Sequence, residues 1–126
     1  GDTFLDIDID LLEKKWLQDK KPLIVGVEVK SGDRYGSLSI KNNQVIEFNE
    51  KKLASSSVIN AGCYLFPKNF FDYWKSSQSF SLENDFFKHN LLEKNLLFFL
   101  HKGIFIDIGI PSDYEKAKFL LKKFYV

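Results

Sequence analysis

The order of apolar patterns along the chain predicts a mixed α/β fold, a sheet with helices around it in three layers. Three observations carry that expectation. Leu23-Ile24-Val25-Gly26-Val27-Glu28-Val29 is a β-branched run of buried-strand character. Asp8 and Asp10 precede a helical spacing of Leu12 and Trp16, and two short strand-like runs after residue 95 lead into a helix headed by Pro111.

In chain order, Asp8 or Asp10 caps a helix over residues 11–18, with Leu12 and Trp16 on one face and Lys14 and Lys15 on another, and Pro22 ends it. The strand over 23–29 follows, then the turn cluster Ser31-Gly32-Asp33. Residues 37–41 and 44–49 read as a hairpin around Asn42-Asn43, a dipeptide tolerant of the positive φ that tight turns demand. Residues 51–57 are polar and loop-like. Residues 58–66 form a strand broken by Gly62, where backbone passes close to a ligand or a bulge forms, and Pro67 closes it. A short aromatic helix is expected over 69–75, and Ser81 is the N-cap of a longer one reaching about residue 93, with Glu83 and Asp85 in its first turn. Residues 96–100 and 103–108 read as strands joined at His101-Lys102. Pro111 then opens a helix whose stripe is Tyr114, Ala117, Leu121 and Phe124.

The chain has 126 residues, which suits one domain and lets roughly two thirds of the unfolded surface be buried. Hydrophobic residues make up 44%, with thirteen Phe, five Tyr and two Trp, so a packed core is expected rather than disorder. The 18 basic and 17 acidic residues nearly cancel and are scattered, which argues against nucleic acid as a partner. One cysteine, Cys63, excludes an internal disulfide and reads as core. No apolar run nears the roughly 18 to 20 residues that cross a bilayer, and no signal peptide opens the chain, so the expectation is a cytoplasmic protein without membrane attachment. The sequence lacks methionine altogether, and a chain that opens on a ligand-like motif predicts further residues upstream.

Two aspartate motifs stand at opposite ends, Gly1-Asp2-Thr3-Phe4 and Phe105-Ile106-Asp107-Ile108-Gly109-Ile110-Pro111. Each presents a carboxylate where a strand gives way to a loop. A fold that joins them can hold one Mg²⁺ on phosphate groups, because this hard cation takes few carboxylates and leaves its other positions to phosphate oxygens. Taken singly, an aspartate after glycine is ordinarily a turn residue.

With Arg34-Tyr35-Gly36, Phe48-Asn49-Glu50-Lys51, Asn60-Ala61-Gly62 and Ser81-Leu82-Glu83 in order between them, these motifs resemble the second half of bacterial sugar-1-phosphate nucleotidyltransferases over almost the whole chain. Within that family, residues 1–8 and 105–114 are most similar to the D-glycero-D-manno-heptose 1-phosphate guanylyltransferases. The resemblance implies a fragment of a Rossmann-like three-layer domain, with residues 1–126 as its C-terminal, sugar-phosphate-binding part. It implies Mg²⁺ on Asp2 and Asp107, a nucleoside triphosphate and a sugar 1-phosphate as substrates, and in-line attack on the α-phosphorus with loss of pyrophosphate. Dimers or tetramers are common among such relatives.

By the same resemblance, Lys51 meets the sugar phosphate as a point charge and Glu50 accepts sugar hydroxyls. Gly36, Asn60 and Gly62 line the sugar pocket, and Glu83 is a second sugar-contacting acid. Plainer readings stand beside these: a solvated pair for Lys51-Lys52, turn or bulge for the glycines, dipole complementation for Glu83. Lys52 stands where many relatives have proline, and Ile110 replaces a threonine that would cap the last helix. The family's glycine-rich phosphate loop is not in these residues, which implies a chain inactive alone.

Two other readings compete. The run Asp6-Ile7-Asp8-Ile9-Asp10 fails as a calcium loop, with Leu11 at the glycine position and Leu17 at the bidentate glutamate position. It remains either the D-x-D metal motif of a glycosyltransferase or a solvated, capping cluster. A non-catalytic sugar-phosphate binding module is the other. His89 and His101 lack partner ligands at metal-site spacing and read as surface or packing residues.

Overall fold

The computed structural model describes residues 1–30, 35–51, 56–72, 79–88, 91 and 95–124, with residues 50 and 51 described by backbone alone. Strand β1 (Thr3–Leu5) leads into helix α1 (Ile9–Asp19). The Asp8 carboxylate accepts from Leu11 N at 2.9 Å, so Asp8 is the cap. Lys20 takes a left-handed conformation and its N–H closes on Trp16 O at 2.8 Å, which stops the helix two residues before Pro22.

Five strands form a closed sheet in the order β2 (Leu23–Lys30), β5 (Ser56–Leu65), β3 (Gly36–Lys41), β4 (Gln44–Lys51) and β6 (Leu97–His101). Strand β2 pairs antiparallel with β5 and parallel with β6, so the sheet is mixed as expected. The first five residues of β2 are buried. Ile24 enters a cluster with Phe86, Phe87 and Phe98, whereas Leu23, Val25 and Val27 enter another with Leu12 and Ile59. Alternation along one strand thus feeds both faces, with α1 covering one and the helix that carries Phe86 and Phe87 covering the other. This is the three-layer arrangement.

The hairpin forms as predicted, with Asn42 and Asn43 at φ 50 and 62 and Lys41 opposite Gln44. Strand β5 bulges where expected: Val25 faces Cys63 but Gly26 faces Asn60, leaving Ala61 and Gly62 as extra residues, with Gly62 at φ +73. The backbone of Lys51 still pairs with Gly36, so the polar segment enters β4 before residues 52–55, which lie outside the described residues.

Two helical expectations need correction. Residues 68–72 form turns rather than helix, with Phe70 N on Pro67 O at 3.0 Å and Asp72 N on Asn69 O at 3.3 Å. Phe70 and Phe71 pack around Phe66, at centroid distances of 4.8 and 4.9 Å, and that clustering overrides helical spacing. Tyr73, Trp74 and Lys75 lie outside the described residues. The second helix is capped by Ser81 as predicted, but Leu82–Phe87 is wound as a π-helix, with Phe86 N reaching Ser81 O at 3.2 Å. The wide turn accompanies full burial of two successive rings, Phe86 and Phe87.

Among the described residues, strand β7 (Phe105–Asp107) pairs only with β1. Helix α2 (Pro111–Leu120) starts without a side-chain cap at Ile110. Its predicted stripe is only partly buried. Ala117 is covered and Phe124 meets the Phe4 ring at 5.0 Å, but Tyr114 is 48% exposed. Cys63 is half-buried rather than core, and burial pushes its thiol pKa up. No helix among the described residues is long and apolar enough to cross a membrane.

Gly26 tests the β2 crossing. A Cβ there would lie 2.4 Å from a Phe98 ring carbon and 3.0 Å from Ile59 O. Gly26→Ala should cost about 1–3 kcal/mol by overpacking, read as a lower urea midpoint. Adding Phe98→Leu should return part of that loss, and an additive double variant would refute the ring clash.

Candidate active site

The antiparallel register of β1 with β7 places Thr3 opposite Asp107 and Phe4 opposite Ile106. Asp2 therefore reaches the end of the ladder where Asp107 leaves it, and Ile108 N donates to Asp2 O at 2.8 Å. The loop then crosses at Gly109, whose N–H donates to Asp107 Oδ1 at 2.8 Å. A Cβ on Gly109 would stand 3.0 Å from Asp107 Oδ1 and 3.6 Å from Asp2 Oδ2, so both carboxylates converge above a residue with no side chain. The two predicted ligands are thus brought together. Among the described residues no group of three or more His, Cys, Asp or Glu could hold a metal ion. A pair of oxygen donors fits a cation that completes its shell with phosphate and water, and does not fit an all-protein cage.

A cleft of about 590 Å³ is lined by Tyr35, Gly36, Asn49, Asn60, Glu83 and Lys88 among others. Tyr35 also lines a second cavity of about 450 Å³ that reaches Asp107, Ser112 and Lys116. One tyrosine is therefore common to the cavity of Asp107 and the cleft of Gly36, Asn60 and Glu83.

The polar wall of the cleft is a closed hydrogen-bond network. Asn60 Oδ1 accepts from Gly62 N at 2.8 Å, which turns the amide nitrogen toward Tyr64 Oη and toward Glu83 Oε1 at 3.3 Å. The Tyr64 hydroxyl donates to Glu83 Oε1 at 2.5 Å. Two donors thus converge on Oε1, while Oε2 has the Ser81 hydroxyl at 3.5 Å. An ionised carboxylate only accepts, so Oε2 is the oxygen with capacity left for a ligand hydroxyl. Tyr64 was not anticipated; it faces the same side as Asn60 because the bulge adds two residues, Ala61 and Gly62, and so keeps the side-chain parity of the strand.

The remaining predicted residues separate. Gly36 lines the cleft, but a Cβ there would meet Asn49 O at 2.8 Å, so close strand approach already requires glycine. Gly62 does not line the cleft; it faces Thr3 Oγ1, 3.9 Å from a Cβ position, and so borders β1. The Lys51 backbone pairs with Gly36, and Glu50 is the extra residue of a bulge there; their side chains, like Arg34 and His89, lie outside the described residues. The D-x-D cluster is dispersed: Asp8 caps α1, Asp10 lies in its first turn, and Asp6 Oδ1 lies 2.9 Å from Nε2 of the buried His101.

Burial, followed by the hydrogen bond to Glu83, raises the Tyr64 phenol pKa well above its ordinary value near 10. The folded state then keeps a proton that the unfolded chain releases. Stability from this group is complete below about pH 10 and declines as pH rises from there toward the folded pKa. Spectrophotometric titration should show one late phenol that Tyr64→Phe removes, and the variant should lose unfolding free energy less steeply above pH 10. An unchanged titration curve would contradict the network.

Residues 8–123 match the family model of the nucleotidyl transferases. The D-glycero-alpha-D-manno-heptose 1-phosphate guanylyltransferase of Aneurinibacillus thermoaerophilus is 35% identical over 119 residues, which is 94% of this chain and 52% of that protein. The enzyme of the same name from Campylobacter jejuni is 34% identical over 115 residues, 90% of this chain and 50% of that protein. The crystal structure of HddC from Yersinia pseudotuberculosis is 38% identical and superposes with a TM-score of 0.81, covering 97% of this chain and 53% of that one. Its complex with GMP-PN gives a TM-score of 0.77. The chain spans about half the length of the curated relatives it matches. A family match over nearly all residues, on a fold whose β1–β7 ribbon brings Asp2 to Asp107, places this chain in the nucleotidyl transferase family.

Proposed function

We propose that this chain is the sugar-phosphate-binding part of a Mg²⁺-dependent sugar-1-phosphate nucleotidyltransferase. The observation that carries the reading is the convergence of Asp2 and Asp107 above Gly109, with Asp107 also lining a cavity that shares Tyr35 with the cleft of Asn60 and Glu83. The names of the relatives support GTP and a manno-configured heptose 1-phosphate as the first substrate pair. Exposed Ile108, Ile110, Phe119 and Leu120 around β7 and α2 support a further part of the protein packing there, the part that brings the nucleotide-binding loop. The chain alone is then inactive. The same reading puts the protein in the cytoplasm, where nucleoside triphosphates are available.

In the proposed reaction a phosphate oxygen of the sugar 1-phosphate bonds to the α-phosphorus, the α–β bridging bond breaks, and pyrophosphate leaves. Asp2 and Asp107 would hold Mg²⁺, which when bound supplies charge compensation between the two phosphates. Glu83 Oε2 accepts a sugar hydroxyl and is aimed by Tyr64 and Asn60. Lys51, on the strand that pairs with Gly36, meets the sugar phosphate, and Glu50 beside it accepts hydroxyls. Positioning and charge compensation supply the rate, with no covalent intermediate on the protein.

The test is pyrophosphate release by the full-length protein from GTP and heptose 1-phosphate. Asp107→Ala should lower turnover by about 10²–10³-fold, the scale of losing one preorganised electrostatic element. Glu83→Gln should raise the KM for the sugar phosphate roughly tenfold, as expected for one hydrogen bond to a charged group, and leave that for GTP unchanged. Asp8→Ala should cost about 1 kcal/mol of helix capping without affecting turnover. Loss of transfer in Asp8→Ala with retention in Asp107→Ala would favour a D-x-D glycosyltransferase, and sugar-phosphate binding without product would favour a binding module.

A further inference from the structure

We infer that Asp6 is a positioning residue for the metal pair, locking the register of the β1–β7 ribbon from the end opposite Asp2 and Asp107. The inference rests on the reading that those two carboxylates hold Mg²⁺. Each strand of the ribbon is three residues long, and they pair with each other outside the closed sheet. A ribbon that short does not sustain itself in water, because an isolated two-stranded pair is marginal even at greater length. Something must fix it.

The fixing contacts gather one residue beyond each strand. Asp6 N donates to Ile104 O at 3.2 Å, and Asp6 Oδ1 accepts from Ile104 N at 2.5 Å. The same oxygen lies 2.9 Å from His101 Nε2, and a carboxylate only accepts, so the imidazole donates there. The two side chains are 24% and 7% exposed, which protects the contact from competing water. His101 is the last residue of β6 and pairs in register with Val27, so it ties the ribbon to the closed sheet. Gly103 makes room, since a Cβ there would lie 2.1 Å from Asp6 Oδ1 and 2.7 Å from a His101 ring carbon. Residues 95 positions apart in sequence thereby meet in one half-buried contact.

The geometry at the far end is unforgiving. A slip of one residue would move Asp2 by roughly 3.3 Å along β7 and turn alternate side chains to the other face. Metal–oxygen distances tolerate only about 0.2 Å. Even a partial loosening at Asp6 therefore matters at Asp2.

The experiment measures Mn²⁺ affinity by electron paramagnetic resonance and the Mg²⁺ dependence of pyrophosphate release, both in the full-length protein. Asp6→Ala should weaken Mn²⁺ binding and raise the half-saturating Mg²⁺ by roughly 10–100-fold, the range for outer-shell partners of metal ligands. Turnover should recover toward wild type at saturating Mg²⁺. His101→Gln, which keeps an N–H donor, should stay within about twofold, whereas His101→Leu should behave as Asp6→Ala does. A lower active fraction with unchanged Mn²⁺ affinity and unchanged Mg²⁺ half-saturation would make Asp6 merely structural and overturn the inference. If Asp6→Ala does not fold, the contrast of His101→Leu with His101→Gln decides the same point. A wild-type protein that neither binds Mn²⁺ nor turns over would instead overturn the underlying functional reading, and the inference with it.

Discussion

The pairing of β1 with β7 is the constraint on which the site depends. It brings residue 3 opposite residue 107, and nothing local in either segment asks for that contact. Closing so long a loop costs entropy that grows only logarithmically with length. Three ladder pairs offset little of it, so the pairing must be imposed by the body of the protein. Strand β2 supplies that body. It lies between β5 and β6 and sends alternate residues into both hydrophobic clusters, and its parallel neighbour β6 ends at His101, where the ribbon is attached.

Legibility followed locality. The Asn42-Asn43 hairpin, the bulge at Gly62, the Ser81 cap and the proline-headed last helix each express a short-range rule, and each is where its residues predicted. The turns at 68–72 were not legible because ring packing around Phe66 is a tertiary effect that no periodicity records. The stripe of α2 misled for a related reason. Tyr114 and Phe124 have the right spacing, but the described residues offer only Ala117 a fully covered place.

The site divides in the same way. Asp2, Asp107, Asn60 and Glu83 were legible as an ordered set of motifs; the fold brings Asp2 to Asp107 over Gly109 and sets Asp107, Asn60 and Glu83 in two cavities that share Tyr35. Tyr64 and His101 were not, because their roles lie in what they touch. Tyr64 reads as one more strand aromatic until its hydroxyl is found on Glu83, and His101 as a packing histidine until its ring is found on Asp6. The run of alternating aspartates shows the limit most sharply. Asp6, Asp8 and Asp10 are alike in sequence, yet the passage from strand to helix gives one a histidine, one a helix end and one an exposed first turn.

The glycines argue for a site shaped by more than strand geometry. Gly26 and Gly36 are explained by neighbouring atoms within the sheet, a Phe98 ring and the Asn49 carbonyl. Gly109 is different, because the nearest atoms to its missing side chain are oxygens of Asp107 and Asp2. A Cβ at 3.0 Å from Asp107 Oδ1 would crowd that carboxylate, so glycine lets the oxygens of Asp107 and Asp2 lie close over the loop backbone. Two carboxylates aimed at one point supply paired oxygen donors of the kind a hard cation takes. Oxygen donors gathered over a glycine are what a cation-binding function asks for, in contrast to Gly26 and Gly36, which packing within the sheet explains.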